Sequence, residues 1–216
     1  MPLASALLKF NLLSLAIVLL FAPARPLCAQ DTAVMEDFIS KFRAAPDISF
    51  DFSMKKKSSL SASAVKLKGT LLYSHPGRAC IELKGKDRTR ICINENGIYV
   101  DSERSNVIQK YGMTSNANIL YRVFETLKGG QNAFTLDAGG GKEATLGIDP
   151  GPADTFKKIF LKVDKKAFII KNITVIYQKY SEEYTVSGMN FNAVAKKGAY
   201  EPAPGKKIID FQEVKQ

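Results

Sequence analysis

The sequence predicts an α+β fold that is mostly antiparallel β-sheet and carries two amphipathic helices. Over residues 47–101, apolar and polar side chains alternate through five consecutive segments, as in strands with one buried face. Turn signatures at His75-Pro76-Gly77 and Asn94-Glu95-Asn96-Gly97 punctuate these strands. Two other segments repeat their apolar residues at helical spacing instead. The five strands therefore form a meander with one continuously apolar face.

The first 29 residues are typical of a secretory signal peptide. Lys9 is an early isolated charge, residues 10–22 are an uncharged apolar run, and Leu27-Cys28-Ala29 resembles a small-residue cleavage site. The apolar run is short for a membrane span. We expect cleavage after Ala29, which leaves residues 30–216 as a single domain. A retained anchor helix and lipidation at Cys28 are the alternatives, and the residues before Cys28 disfavour lipidation.

The charge balance is basic, with a net charge of +10 over the whole chain. A basic exported protein would attract anionic lipid headgroups or an acidic partner, or its lysines are simply solvated, which we favour. The basic residues are scattered, and no recognised motif organises them for nucleic acid. Nucleic acid is therefore excluded as a partner.

The first elements after the N-terminal segment are a helix and two strands. Residues 34–43 place Met35, Phe38, Ile39 and Phe42 on one helical face, and a proline ends the helix. Strand one then points Ile48, Phe50, Phe52 and Met54 to one side, and strand two does the same with Val65, Leu67, Leu71 and Tyr73. Gly69 in the middle of strand two predicts a bulge or a bend.

The next two strands form a hairpin around Gly85-Lys86-Asp87. One register places Cys80 opposite Cys92, Glu82 opposite Arg90 and Ile81 opposite Ile91. This register therefore explains the charge pair, the apolar pairs and the cysteines together. Opposed cysteines can bridge in a non-hydrogen-bonded pair, and export favours oxidation. A disulfide and two free, partly buried thiols remain as alternatives.

The second half of the chain is again mainly β. Residues 116–128 read as a helix that either covers the sheet as a lid or belongs to the core, and two glycines end it. The remaining predicted strands are 98–100, 107–108, 134–136, 144–148, 156–163, 167–178 and 184–191, followed by a last strand with Ile208, Ile209 and Phe211.

Motifs for catalysis are missing from the sequence. The single histidine, His75, excludes a histidine-based metal cluster, and it excludes a triad unless His75 is the base. The glycine-rich residues 137–142 lack the spacing of a phosphate-binding loop. The acidic residues are dispersed, so no carboxylate pair is indicated. We therefore expect a protein that is not an enzyme and needs no cofactor or metal.

Several short motifs resemble the periplasmic outer-membrane lipoprotein carriers (LolA-like). They are Ile48-Ser49-Phe50-Asp51-Phe52, Gly69-Thr70-Leu71-Leu72-Tyr73, the turn at His75-Pro76-Gly77-Arg78, and residues 91–101. The later order of a helix, a hairpin, a strand and a proline-containing tail is also similar to that family. In place of the arginine that the family commonly has before the turn proline, this chain has His75. A neutral imidazole has one donor where guanidinium has five, so control of a lid by the same means is in doubt.

The resemblance implies an incomplete antiparallel half-barrel wrapped around helices, with an apolar cavity for the acyl chains of a lipoprotein. Such a carrier would be a periplasmic monomer that accepts cargo from an inner-membrane transporter and passes it to an outer-membrane receptor. The candidate cavity lining is Phe50, Phe52, Leu67, Leu71, Tyr73, Ile81, Leu83, Ile91, Ile93, Leu120 and Phe124. On this reading, Phe50→Glu or Leu71→Glu abolishes ligand uptake. A lipid-sensing or regulatory module on the same fold, and a structural envelope protein with an ordinary core, are the alternatives.

Overall fold

The computed structural model describes residues 27–58, 61–113, 118–129, 134–137, 141–149 and 156–211. Within these residues, two helices lie against one twelve-stranded sheet. The helices are α1 (Leu27–Ala44) and α2 (Ile119–Gly129). The strands are β1 (Asp47–Ser58), β2 (Ser61–Ser74), β3 (Arg78–Lys84), β4 (Thr89–Asn94), β5 (Gly97–Ser102), β6 (Val107–Tyr111), β7 (Phe134–Asp137), β8 (Glu143–Ile148), β9 (Phe156–Asp164), β10 (Ile169–Tyr177), β11 (Tyr180–Asn190) and β12 (Lys207–Phe211).

The sheet is unclosed and almost entirely antiparallel. Its order is β12-β6-β5-β4-β3-β2-β1-β11-β10-β9-β8-β7, so the first six strands form one meander and β7 to β11 form another. The two meanders meet where β1 pairs with β11. The last strand, β12, lies parallel to β6 at one edge. This topology confirms the predicted α+β fold and the incomplete barrel.

The two helices cover the inner face of the sheet and share one aromatic core with it. Phe124 of α2 lies at the centre, with its ring centroid 5.1 Å from Phe42 of α1, 5.4 Å from Phe50 of β1 and 5.4 Å from Tyr73 of β2. All four side chains are buried in the main core. Because the inner faces of β1 and β2 and both helices meet at one ring, the helices are fixed to the first meander.

Several element boundaries differ from the predicted ones, and three of these differences have a consequence or a cause in the structure. Helix α1 begins at Leu27 rather than at residue 34, so it includes the predicted cleavage site, and cleavage there stays a prediction. Helix α2 begins at Ile119, because Asn118 Oδ1 accepts a hydrogen bond from the Leu120 N–H group at 2.9 Å and caps the helix. Asn116, the predicted start, lies outside the described residues. Strand β11 begins at Tyr180, since it pairs with the full length of β1.

The predicted bulge at Gly69 is wrong. Pairing of β2 with β1 and with β3 runs through Gly69 without a shift in register. A Cβ atom at this position would lie 2.6 Å from the Phe52 ring and 2.6 Å from the Glu82 carbonyl oxygen. The glycine is therefore needed because the Phe52 ring lies against the backbone of β2 at this point. The strand contains no extra residue here, only a close contact that leaves no room for a side chain.

The cysteine hairpin has the predicted register. Cys80 pairs with Cys92, and the other β3–β4 pairs run from Ala79–Ile93 to Leu83–Thr89. The two sulfurs are joined as a disulfide, and the two Cα atoms are 4.2 Å apart. The expected charge pair is different, however. Glu82 binds Arg88 at 3.0 Å, whereas Arg90 donates to Cys80 Sγ at 3.1 Å and to the Ala199 carbonyl oxygen at 2.8 Å.

Arg90 turns away from Glu82 because the C-terminal segment, residues 191–206, crosses the outer face of the sheet. Tyr200 packs there against both cysteines. Its carbonyl oxygen accepts a hydrogen bond from Asn94 Nδ2 at 3.1 Å, and its hydroxyl donates to Asp47 Oδ1 at 3.3 Å. This crossing carries the chain from β11 to the distant edge, where β12 pairs with β6.

Candidate functional site

A cavity of about 510 Å³ lies on the inner face of the sheet, beside the first turn of α2. Its size is within the range of small-molecule binding sites. The cavity opens at the end of the sheet where β1 ends and β2 begins, and we call this opening the mouth of the half-barrel. The cavity is lined by Phe52, Met54, Leu67, Leu83, Asn118, Ile119, Leu120, Arg122, Phe156, Tyr177, Tyr180, Glu182 and Tyr184. Most of the lining residues are aliphatic or aromatic, while Asn118, Arg122, Glu182 and the tyrosine hydroxyls add polar surface.

One wall is the hairpin of β10 and β11, whose inner face is aromatic. Alternation along β11 points Tyr180, Glu182 and Tyr184 to the same side, toward the cavity. Tyr180 stacks on Tyr177 with the ring centroids 4.1 Å apart. Tyr184 meets the ring of Phe52 from β1 at 5.8 Å. The aromatic rings thus form a wall of flat apolar surfaces that continues from the core to the mouth.

Glu182 is a cavity-lining carboxylate, and its oxygens are engaged by neighbouring groups. Tyr184 donates its hydroxyl to Glu182 Oε2 at 2.8 Å, and Tyr177 donates to the same oxygen at 3.3 Å. Lys56 Nζ lies 3.5 Å from Oε1 and 3.8 Å from the centre of the Tyr180 ring. The carboxylate is neutralised by the lysine and satisfied by two hydroxyls, so it offers no free charge to a ligand. This arrangement holds the aromatic wall in place.

We expect the protein to lose stability as the pH rises above about 10. Burial raises the pKa of Tyr73 and Tyr184, and the charges of Glu125 and Glu182 raise them further. A tyrosine in the unfolded chain loses its proton near pH 10, while these two keep theirs in the folded state. The unfolded state then binds fewer protons, so the free energy of unfolding falls with pH. Thermal unfolding followed from neutral pH into the alkaline range measures this.

In the same titration, the stability of the Tyr184→Phe variant should depend less strongly on pH, because the variant lacks one of the two buried hydroxyls. Phenolate absorbance adds a direct reading. If all tyrosines ionised near pH 10 while the fold stayed intact, the described burial of these hydroxyls would be wrong.

The predicted lining residues divide into two groups. Phe52, Leu67, Leu83 and Leu120 line the cavity. Phe50, Leu71, Tyr73, Ile81, Ile93 and Phe124 are buried in the core, and Ile91 packs against it. The sequence did not predict the other nine lining residues, which are Met54, Asn118, Ile119, Arg122, Phe156, Tyr177, Tyr180, Glu182 and Tyr184. The alternation of Tyr180, Glu182 and Tyr184 indicates that these three side chains share one face of a strand. The sequence near this hairpin does not indicate that the face contacts Phe52, which is far away in the chain.

At the opposite end of the sheet, helix α2 is joined to the turn that contains His75. Glu125 Oε1 accepts hydrogen bonds from the Tyr73 hydroxyl at 2.6 Å and from the Gly77 N–H group at 3.2 Å. His75 Nδ1 lies 3.4 Å from the Tyr73 hydroxyl and 3.9 Å from Glu125 Oε1. The carboxylate of the helix, rather than the side chain before the proline, therefore makes the main contact between α2 and the turn.

Glu125→Ala is expected to loosen α2 and to cost about 1–3 kcal/mol of stability. The substitution removes the acceptor of the buried Tyr73 hydroxyl and of the Gly77 amide. Amide hydrogen exchange should accelerate in residues 75–77 and 119–129. Glu95→Ala, in the neighbouring β4–β5 turn, is the matched control, since Glu95 is exposed. Equal exchange in the two variants would refute a joining role for Glu125.

A second cavity, of about 480 Å³, lies on the outer face between the C-terminal segment and β1 to β3. Its walls include Asp51, Glu82, Arg90 and Lys196. Asp51 and Glu82 are engaged in ion pairs with Lys84 and Arg88. The outer cavity also has apolar surface, since Phe50, Leu71, Leu72 and Val194 border it. We choose the inner cavity as the candidate site because its walls continue the main core and its carboxylate is paired with Lys56.

Within the residues that the structure describes, no group of three or more histidine, cysteine, aspartate or glutamate side chains has the arrangement of a metal site. In the same part of the chain, neither helix combines the length and the apolar character needed to cross a membrane.

No family model and no curated protein matches the sequence. Solved structures of similar shape include a DUF1329 family protein from Desulfovibrio piger, at 7% identity over 82% of this chain and 97% of that chain, with a TM-score of 0.46. A LolA superfamily protein from Nitrosomonas europaea is 7% identical over 77% and 97%, with a TM-score of 0.45. The Mycobacterium tuberculosis lipoprotein LppX is 9% identical over 78% and 99%, with a TM-score of 0.43. With TM-scores below 0.5, these proteins share only a general likeness with this chain.

Proposed function

We propose that this protein is an exported carrier that binds the acyl chains of a lipoprotein, or of a related lipid, and carries them toward the outer membrane. The observation that supports it best is the cavity of about 510 Å³ between α2 and the half-barrel. Aliphatic and aromatic side chains make most of its wall, and its mouth lies at the open end of the sheet. An acyl chain is the ligand class that matches such walls.

The energy of acyl burial fits a carrier. Each CH₂ group taken out of water contributes about 0.8 kcal/mol. Leu67, Leu83 and Leu120 have no charge to desolvate, while Arg122 adds a guanidinium group that lies over the Phe156 ring. Glu182 is already paired with Lys56 and two tyrosine hydroxyls, so it adds little cost. A chain held in this cavity would be shielded from water during transfer and would leave again through the mouth.

The proposed partners are two membrane proteins, one that donates the lipoprotein and one that accepts it. The resemblance of the sequence motifs implies an inner-membrane transporter that loads the cavity and an outer-membrane receptor that empties it. Both are part of the proposal, together with a monomeric carrier in the periplasm. The alternative on the same fold is a lipid-sensing or regulatory module, for which the same cavity would hold a free lipid as a signal.

Extraction and mass spectrometry of the purified protein test the function. Acylated protein that copurifies would support the carrier. A free lipid at stoichiometric amount would support the sensing module instead. A protein that yields neither, and that also fails to bind a fluorescent fatty acid, would refute both proposals.

Export is tested on the same sample by its intact mass. Cleavage after Ala29 predicts a chain that begins at Gln30, while lipidation predicts an acylated Cys28 at the new N-terminus. A mass that corresponds to the whole chain would contradict both forms of processing.

A further inference from the structure

The hairpin of β1 and β2 ends in a basic arm beside the cavity mouth. We define the lysine arm as residues 55–57 of β1 and 65–68 of β2, which include five lysines and no acidic residue. The register places Lys55 directly opposite Lys66, and Lys68 opposite Lys84 of β3. Like charges opposed across strands destabilise a sheet. The arrangement therefore costs stability unless anionic groups compensate it.

Carboxylates of this chain compensate the arm only in part. Lys56 lies 3.5 Å from Glu182, Lys57 lies 3.7 Å from Glu183, and Lys84 lies 3.2 Å from Asp51. Lys55, Lys66 and Lys68 are exposed. Lys55 lies opposite Glu183 of β11 in the register, but among the described residues the ion pair of Glu183 is with Lys57. These three lysines thus present positive charge to the solvent on the outer side of the mouth.

An exposed apolar residue lies among these lysines. Val65 is 55% exposed and pairs with Lys56 at the end of β2. Alternation places it on the same face of β2 as Leu67, which lines the cavity. The apolar wall of the cavity therefore continues through Val65 to the outside, next to Lys66. Exposed aliphatic surface with flanking lysines is the combination that suits the interface of an anionic bilayer.

We propose that the lysine arm docks this protein on an anionic phospholipid surface, with the cavity mouth turned toward the bilayer. The three uncompensated lysines contact the phosphate groups, and Val65 enters the boundary between headgroups and acyl chains. The β3–β4 turn and the start of β9 lie at the same end of the sheet and add Lys86, Lys157 and Lys158, which are exposed. The turn also carries the exposed Asp87, which is paired with Arg104. This docking does not depend on which ligand the cavity holds, so it is independent of the carrier proposal.

A bilayer suits the arm better than an acidic protein does. The lysines are point charges on flexible stems and are spread along two strands, without the planar, bidentate geometry that selects a particular carboxylate or phosphate. Each lysine near an anionic membrane contributes about fivefold to the binding constant. Three such lysines therefore account for roughly a hundredfold preference for anionic over neutral vesicles.

Vesicle flotation with the full chain tests the proposal. One set of vesicles contains phosphatidylcholine and phosphatidylglycerol in equal parts, and the other contains phosphatidylcholine alone. The arm variant combines Lys55→Gln, Lys66→Gln and Lys68→Gln. The matched control combines Lys142→Gln, Lys166→Gln and Lys171→Gln, which removes the same charge at the opposite end of the sheet. All the proteins are purified in the exported form, so processing of the N-terminal segment is the same in the native chain and in the variants.

We expect the native chain to prefer the anionic vesicles, and added salt to weaken this preference. The arm variant should bind anionic vesicles roughly a hundredfold more weakly, while the control changes by less than about tenfold. Equal losses in the two variants would show that only net charge matters, and they would overturn the proposal. So would equal binding of the native chain to both kinds of vesicle. The same midpoint of thermal unfolding in all the proteins verifies that the substitutions leave the fold intact.

Discussion

Replacing Phe124 with alanine is expected to lower the free energy of unfolding by about 3–5 kcal/mol. Phe124 is fully buried, and its ring contacts the rings of Phe42, Phe50 and Tyr73. The truncation leaves a cavity where both helices and the first two strands meet, and the surrounding rings are held by their own strands and cannot close it. Denaturation in urea measures the effect as a lower midpoint with an unchanged slope.

Phe211→Ala is the control for this prediction. Phe211 lies on the edge strand β12, stacks only on Tyr111 among the described aromatic rings, and is 44% exposed. Its truncation should cost less than about 1 kcal/mol, because little apolar surface returns to water. Similar losses for the two phenylalanines would mean that the ring of Phe124 is not the centre of the core.

Leu67→Glu and Leu83→Glu are each expected to weaken acyl binding at least a hundredfold. Both leucines line the cavity and are only partly buried. A carboxylate at either position is hydrated while the cavity is empty. An acyl chain that enters would remove this water from the carboxylate, at a cost of several kcal/mol. The amount of lipid extracted from each purified variant, and the affinity for a fluorescent fatty acid, measure the effect.

The matched control for the cavity variants is Thr185→Glu. Thr185 is exposed on the outer face of β11, where β11 pairs with β1 on one side and β10 on the other. It is therefore on a strand of the cavity wall but on the opposite face. This variant should bind as the native chain does. Native binding by Leu67→Glu and Leu83→Glu together would show that the ligand lies elsewhere, and the outer-face cavity would then be the next to test.

The structure also changes which substitutions are useful. From the sequence alone, Phe50→Glu and Leu71→Glu were the natural tests of a cavity face. Phe50 is 3% exposed and Leu71 is 1% exposed, and both pack in the main core. Neither lines the inner cavity, although both border the outer one. A carboxylate at either site would be buried without a partner and would unfold the protein. Loss of binding would then say nothing about the ligand.

Local patterns were enough for much of the first meander. Alternation placed Ile48, Phe50, Phe52 and Met54 on the buried face of β1, and the hairpin around residues 85–87 had the predicted register. Both depend on neighbours in sequence, since side chains alternate with period two and a short turn sets the pairing of its own strands. The same reasoning failed at Gly69, where the deciding contact is the ring of Phe52 from the adjacent strand.

By itself, the sequence determined the class of fold, the strands of the first meander and which of their faces is apolar, because those properties follow from the period of the pattern. Only the tertiary structure decided that β1 pairs with β11, and this pairing brings Tyr184 against Phe52 and Glu182 against Lys56. It also decided that the C-terminal segment crosses the outer face, where Arg90 donates a hydrogen bond to the Ala199 carbonyl oxygen instead of pairing with Glu82. These contacts join residues far apart in the chain, and no local periodicity encodes them. The inner cavity exists only once the two meanders meet, because its walls come from both of them.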